Sequence, residues 1–328
     1  MTSTSKAKRA LVLGITGQDA AYLAQLLLSK GYEVIGTSRD AMAADRTKLR
    51  ALGIDERVDV ASMAPNDFRS VLQTVARAEP DEIYNLAGQT SVGLSFDQPV
   101  ETIESIAIGT LNLLEAIRFV GKPTRLYNAG SSECFGDTGN LPANELTPFR
   151  PRSPYAVAKA CSHNLIDNYR EAYNLFACTG ILFNHESPLR SARFVTQKVV
   201  RSAVRIARGS HESLTLGDLR IHRDWGWAPE YVEAMWLMLQ RSEPRDFVIA
   251  TGRTVSLAYF VEHTFAHFDL NWRQHVRVDE GLLRPTDITL SAADPSLAER
   301  ELGWKATRDV DDVIRELCDA STGRGGLE

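Results

Sequence analysis

Two rhythms of hydrophobic spacing alternate along the first half of this 328-residue chain. Short, mainly apolar runs at Ala10–Leu13, Val34–Ile35, Val58–Val60, Ile83–Leu86 and Leu126–Tyr127 have the length and continuity of strands buried on both faces. Between them, apolar residues recur at helical spacing over Asp19–Lys30, Asp67–Ala78, Glu101–Phe119 and, further on, Tyr155–Tyr173, with Gly31 stopping the first helix. Strand alternating with helix predicts an α/β fold, a doubly wound parallel sheet with helices on both faces. After about Asn184 the rhythm shortens and mixes. The remainder is therefore expected to build a smaller α/β lobe from late segments rather than a separately linked domain.

Composition narrows the class. With 44% hydrophobic and 24% charged residues the chain can bury an ordinary globular core, which excludes a disordered or collagen-like protein. Lys+Arg 37 against Asp+Glu 42 leaves a net charge of -5, without the basic footprint of a nucleic-acid binder, so an anionic ligand must be held by a local cluster. Cys134, Cys161, Cys178 and Cys318 form no CxxC pair; neither a metal site nor a disulfide framework is expected, and a reducing, cytoplasmic location fits. The apolar stretch after Ala10 is broken by Gly14, Thr16, Gln18 and Asp19 before it could span a membrane or form a signal core, so no membrane association is expected. Residues 1–7, polar and basic, and 319–328, glycine-rich at the end, are expected to be flexible tails.

Candidate chemistry sits at the predicted strand ends. Gly14-Ile-Thr-Gly17-Gln-Asp-Ala20 occupies the first strand-to-helix junction, where glycines let the backbone approach a pyrophosphate and the helix N-terminus opposes its charge. Gly14, Thr16, Gly17, Gln18 and Asp19 are thus candidates for dinucleotide binding. At the end of the second strand, Arg39 suits the 2′-phosphate of NADP, whereas Asp40 on a ribose hydroxyl would mean NAD. Asn85-Leu86-Ala87-Gly88 closes another strand with small residues that leave room for ribose and nicotinamide. Tyr155 and Lys159 lie four apart on one helix face, and the ammonium charge favours the phenolate, supplying a base near neutral pH. Ser131 follows the strand Leu126–Asn128, where ligands bind in such sheets, and can share a substrate hydroxyl with Tyr155.

The combination makes a family recognisable. Through GITGQD (14–19), IYNLAGQTSVGLSF (83–96), SSECFG (131–136), PRSPYAVAK (151–159), FNHESP (183–188), RDWGWAPEYVEAMWLML (223–239), FVIATG (247–252) and RPTDI (284–288), the chain resembles the extended short-chain dehydrogenase/reductases and, among them, the GDP-mannose 4,6-dehydratases. The likeness runs from Leu11 to about Trp304. It implies a Rossmann-type NADP-binding domain mainly over 8–183 and a substrate-binding lobe mainly over 184–318, with segments returning to the first. It also implies a lyase acting on a nucleotide sugar. In that reaction hydride moves from sugar carbon 4 to the nicotinamide, the proton on carbon 5 is removed, the hydroxyl on carbon 6 leaves as water, and hydride returns to carbon 6.

By the same resemblance the catalytic set is Ser131, Glu133, Tyr155 and Lys159, with Glu133 as base and acid at carbons 5 and 6. Leu86, Ala87 and His185 join the cofactor contacts, and Asn184, Lys198, Arg223 and Arg284 serve the substrate's diphosphate. Pairing through the two long helices implies a homodimer or homotetramer. Rival readings are a dehydratase for another GDP-sugar, or a nucleotide-sugar reductase or epimerase, which would need no Glu133. From a different class comes a catalytically silent dinucleotide-binding protein, opposed by the intact quartet. Without a second His or Cys at ligand spacing, His185 reads as a structural or cofactor-contacting ring rather than a metal ligand. Trp225, Trp227 and Trp236, with Met235 and Met238, read as core positions on a helix-like stretch, and Cys134 as a small buried hydrophobe.

Overall fold

In the computed structural model residues 7–139 and 141–323 are described; the tails expected at either end fall, at 1–6 and 324–328, outside the described residues. The chain runs β1 (Arg9–Leu13), α1 (Gln18–Ser29), β2 (Glu33–Ser38), α2 (Thr47–Ala51), β3 (Asp59–Ser62), α3 (Phe68–Ala78), β4 (Glu82–Asn85), α4 (Val92–Asp97) and α5 (Pro99–Ile103). It continues through α6 (Gly109–Val120), β5 (Arg125–Ala129), α7 (Pro154–Tyr173), β6 (Ala177–Leu182), β7 (Asn184–Glu186), α8 (Val195–Ala207) and β8 (Leu214–Leu216). The last elements are β9 (His222–Trp227), α9 (Ala228–Gln240), β10 (Phe247–Ile249), β11 (Thr254–Ser256), α10 (Leu257–Ala266), β12 (Val276–Val278), α11 (Ser296–Leu302) and α12 (Val310–Thr322). The α/β alternation read from the hydrophobic pattern is present as a Rossmann-type sheet. Its strand order is β3-β2-β1-β4-β5-β6-β10, parallel from β3 to β6. The order reverses between β1 and β4, which opens a crevice at the carboxyl ends of those strands.

Local sequence explains the element ends. Ala10, Leu11, Val12 and Leu13 are all buried, as a strand covered on both faces requires. Asp67 caps α3 by accepting from the amides of Arg69 and Ser70, an arrangement that stabilises a helix by about 1 kcal/mol. Ser153 caps α7 by accepting from Ala156 N, Pro154 follows at the first position, and Asn174 closes the helix in the left-handed conformation. The long helix expected over Glu101–Phe119 forms as α5 and α6, joined by a wider π turn at Glu104–Ile108.

The chain divides into two compact units that alternate in sequence. The first comprises 1–134, 153–181 and 232–247; the second comprises 135–152, 182–231 and 248–328. In the first, Leu11, Leu13, Ile83 and Leu126 of the sheet pack with Leu113, Leu114 and Ile117 of α6 and Ile166 and Tyr169 of α7. Its return segment is pinned by polar contacts: Arg170 donates to both carboxylate oxygens of Asp246 at 3.0 and 2.9 Å, and Arg125 donates to the carbonyls of Leu239 and Arg241. The second unit holds the three-stranded sheet β11-β9-β7 and the pair β12-β8 around a core of Trp225, Trp227, Phe260, Phe265, Val313 and Leu317.

Two expectations differ from this arrangement. Trp225 and Trp227 lie on strand β9, and only Met235, Trp236 and Met238 are helical, on α9. Two residues apart on a strand, both indoles face one core, so their spacing follows the strand period rather than the helical one. The C-terminal tail also begins later than residue 319. α12 continues to Thr322 because Cys318 remains in the core and the Ser321 and Thr322 hydroxyls donate back to the carbonyls of Leu317 and Asp319.

Candidate active site

Within the first unit, three loops meet at the carboxyl ends of neighbouring strands. Gly14 follows β1 with φ +77°, and a Cβ there would stand 3.0 Å from Ala87 Cα and 3.1 Å from the Leu86 carbonyl oxygen of the loop after β4. Gly17 donates its amide to Gly14 O at 2.9 Å and occupies the cap position of α1 without a side chain to spend the helix's first amides. The close backbone approach and the open helix start fit the pyrophosphate of a dinucleotide. Gly14→Ala is expected to weaken dinucleotide binding at least tenfold, because it adds left-handed strain of about 1–2 kcal/mol and pushes the turn off Leu86–Ala87. Titration of NADP into the purified variant, followed by fluorescence, checks this; wild-type affinity would remove the turn from the site.

Thr16 carries a further contact that no sequence motif announced. Lys48, from α2, donates to the Thr16 carbonyl at 2.7 Å and so brings a cation to the turn. Gln18 donates to the Asp19 carboxylate, and Asp19's negative charge supports the ammonium of Lys159. Arg39 stands apart from these loops. Its side chain is 81% exposed and pairs with Glu101 at 3.6 Å, while Asp40 caps its own turn by accepting from Met42 N and Ala43 N.

Beyond β5 the chain makes a tight turn. Ser131 is buried, Glu133 is half-buried, and the Glu133 amide donates to Ser131 Oγ at 3.3 Å, so Ser131 leads directly into the short 3₁₀ segment Ser132–Phe135 that carries Glu133. Cys134 is tied by its thiol to the Ala156 carbonyl, which fastens the turn to the start of α7; burial pushes the thiol up to about 12, so it stays protonated and packs as a small hydrophobe. Tyr155 and Lys159 are both buried on α7, with the Lys159 Nζ 5.9 Å from the Tyr155 ring centroid and donating to the Ala129 carbonyl at 2.7 Å. Burial lowers the Lys159 ammonium to about 8.

Other residues singled out from the sequence lie in the second unit. His185 is buried on β7, its Nδ1 2.7 Å from Phe183 O and its ring stacked on Tyr231 at 4.6 Å. Asn184 precedes it on the same strand, in register with Trp225 of β9. Arg223 is buried and donates to the carbonyls of His222 and Ile288; Arg223 and Arg284 share one carboxylate oxygen of Asp287 at 3.3 and 3.5 Å. Two guanidiniums thus converge on one carboxylate oxygen, and guanidinium forks of this kind also suit a phosphate. Lys198 is exposed on α8 and donates to the Thr215 carbonyl at 2.6 Å. Beside Arg223, wholly buried Asp224 accepts from Thr251 N, Thr251 Oγ1 and Gly252 N, and burial pushes its carboxyl up to about 6. Asp287 completes the cluster with Arg223 and Arg284, and only the fold, by joining residues tens of positions apart, brings it to Arg223.

The family model for GDP-mannose 4,6 dehydratase matches residues 11–317, almost the whole chain. The chain belongs to the GDP-mannose 4,6-dehydratase family. It is 45% identical over 341 residues to GDP-mannose 4,6 dehydratase of Drosophila melanogaster, covering 96% of this chain and 86% of that one. It is 44% identical over 322 residues to GDP-mannose 4,6 dehydratase 1 of Arabidopsis thaliana, covering 95% and 89%. Among solved structures, UDP-glucose 4-epimerase of Thermus thermophilus in complex with NAD superposes with a TM-score of 0.84 at 25% identity, over 97% of this chain and all of that one. This family member therefore combines a widely shared nucleotide-sugar fold with the sequence of the dehydratases. None of its described helices is long and apolar enough to cross a membrane.

Proposed function

We propose that the protein is an NADP-dependent lyase that converts GDP-mannose to GDP-4-keto-6-deoxymannose and water. The observation that carries this reading is the carboxylate of Glu133 in the same turn as Ser131, in a unit that also holds the buried Tyr155–Lys159 pair. Hydride chemistry alone needs Ser, Tyr and Lys; loss of water needs a group that removes a carbon-bound proton and protonates a departing hydroxyl. Glu133 supplies both roles.

The turn at Gly14, Thr16, Gly17, Gln18 and Asp19, with Leu86 and Ala87, holds the dinucleotide, and Arg39 reaches its 2′-phosphate by exchanging Glu101 for it. Exposure makes that exchange cheap, since a surface ion pair contributes about 0–1 kcal/mol. A nicotinamide held there would supply reversible hydride acceptance, for the hydrogen of sugar carbon 4 that is later needed at carbon 6. Tyr155 removes the proton of the carbon 4 hydroxyl, and the Lys159 ammonium stabilises the phenolate that does so. Ser131 hydrogen-bonds the same oxygen. The ketone at carbon 4 acidifies carbon 5, and Glu133 takes that proton and passes it to the carbon 6 hydroxyl, which leaves as water; once hydride is back at carbon 6, carbon 5 is reprotonated by the solvent-exchangeable proton that Tyr155 holds. The change is redox-neutral overall. In the second unit Arg223, Arg284, Asn184 and Lys198 bind the diphosphate, and His185 is assigned to the cofactor.

Apolar side chains left exposed on three helices of the first unit, Val100 on α5, Phe119 on α6, and Val157 and Tyr173 on α7, support a homodimer paired through these helices, and free cysteines suit a cytoplasmic setting. The deciding experiment offers GDP-, dTDP-, UDP- and CDP-sugars with catalytic NADP and scores loss of one water by mass. GDP-mannose is expected to turn over for many equivalents per cofactor without added reductant. Net consumption of NADPH would instead mean a reductase, and isomerisation without mass loss an epimerase.

A further inference from the structure

The π turn between α5 and α6 touches both halves of the catalytic arrangement in the first unit. Such turns insert one residue into a helix and are frequent at functional sites. Here the carbonyl of Ile106, inside the turn, accepts from Thr110 Oγ1 at 2.7 Å and from Ser162 Oγ of α7 at 3.2 Å. Thr110 Oγ1 in turn accepts from Asn85 Nδ2 at 3.2 Å, and Asn85 also donates to Asn128 Oδ1 of the adjacent strand at 3.0 Å. The buried hydroxyls therefore tie the turn to α7 and to the ends of β4 and β5.

The side chains of the turn reach the site from there. Ile106 is buried against Tyr155 and Ala158. Its Cγ1 also fills the space beside Gly88, which has φ +122° and whose absent Cβ would stand only 2.8 Å away. Ser105 Oγ accepts from the Gln89 amide at 3.3 Å, and Thr102 Oγ1 accepts from Gln89 Nε2 at 3.2 Å. One wedge thus separates the loop after β4 from the phenol of Tyr155.

We propose that the π turn at Glu104–Ile108 positions the reaction, with Thr110 and Ser162 holding Ile106 as a spacer that sets Tyr155 against the loop after β4. The assignment rests on Tyr155 and the Gly88 loop having the roles given above. Thr110, Ser162 and Ile106 are positioning residues; none of them touches the reacting atoms. A misplacement of about 1 Å far from the chemistry can cost up to a hundredfold in rate, whereas substrate binding through the second unit's cations is untouched.

The test compares the full-length wild type with Thr110→Val, Ser162→Ala, their double variant, Thr110→Ser and Ile106→Val, using GDP-mannose and NADP. The double variant is expected to lose about tenfold or more in kcat with KM for GDP-mannose and Kd for NADP within twofold, and Thr110→Ser to recover most of the loss. Ile106→Val, which keeps every hydrogen bond and trims the spacer by one methylene, is expected to lower kcat severalfold on its own, so the proposal is exposed even if the double variant fails to fold. Wild-type kcat in the folded double variant, or wild-type kcat in Ile106→Val, would overturn it. A loss of kcat and cofactor affinity in step would overturn it too, by making the turn a general support. If the wild type itself forms no keto product from any GDP-sugar, the functional reading fails, and the positioning role falls with it.

Discussion

Glu133→Gln is expected to abolish dehydration by about 10²–10⁴-fold, the range spanned by a single general acid–base group. The substitution keeps the size of the side chain and leaves the turn intact, because it is the Glu133 backbone amide, not the carboxylate, that donates to Ser131. NADP affinity and KM for GDP-mannose should therefore stay within a few-fold of wild type. The step lost is specific: an amide neither removes the proton from carbon 5 nor delivers one to the departing hydroxyl. Run in D2O, the wild type should place one solvent deuterium at carbon 5 of the product, and the variant should give neither product nor exchange at that carbon. Tyr155 and Lys159 remain in place, so exchange of the carbon 4 hydrogen with bound cofactor should persist. Full dehydratase activity in Glu133→Gln would remove this residue from the mechanism and return the epimerase reading to contention.

A descending limb near pH 8 is the second expected result. Burial lowers the Lys159 ammonium from its ordinary value of 10.5 to about 8. Below that pH the group is charged and supports the Tyr155 phenolate; as pH rises through about 8 the proton leaves, the supporting charge goes with it, and kcat/KM falls. Cys134 cannot produce the same limb, since burial pushes its thiol up to about 12. Lys159→Arg separates cause from coincidence, because a guanidinium stays protonated throughout this range. Its plateau should be lower, by about tenfold, for the loss of the fitted contact to the Ala129 carbonyl, yet flat to pH 10. Lys159→Met should lie at least a hundredfold below wild type at every pH. A wild-type profile flat to pH 10, or a limb that persists in Lys159→Arg, would refute the role given to this charge.

Both results concern residues singled out before any coordinates, Glu133 through the family resemblance and the Tyr155–Lys159 pair, like the first strand and its turn, for a local reason. The all-apolar run Ala10–Leu13 followed by Gly14 marks a strand and its turn within a few residues, and Tyr155 and Lys159 share a face at helical spacing. Parallel strands and their crossover helices have such short-range signatures, so the sheet was legible. The shared carboxylate of Asp287 was not, because it meets Arg223, 64 positions earlier, only once the chain has folded. Trp225 and Trp227 were misplaced because the strand β9 runs without a break into α9, so the helical pattern of Met235, Trp236 and Met238 extends back over residues whose two-apart spacing is that of a strand. The π turn had no sequence signal at all. Glu104–Ile108 reads as ordinary helix, and its carbonyl at Ile106 is held by the Ser162 hydroxyl from α7 and by the Thr110 hydroxyl, itself bonded by the Asn85 amide of β4.

The return of the chain to the first unit over 232–247 bears on whether the cofactor half is a separable module. A fragment ending near residue 183 would keep Arg170 on α7, with Asp167 and the Ala177 carbonyl, but lose its two bonds to Asp246, at a cost of about 1.5–3 kcal/mol. The Arg125 guanidinium would also lose both of its carbonyl acceptors, and the sheet would lose its edge strand β10. Against a net folding stability of about 5–15 kcal/mol, such losses leave little margin. The nucleotide fold is thus completed only after the polypeptide has passed through the 182–231 segment of the second unit, and loop closure over those intervening residues is built into its folding.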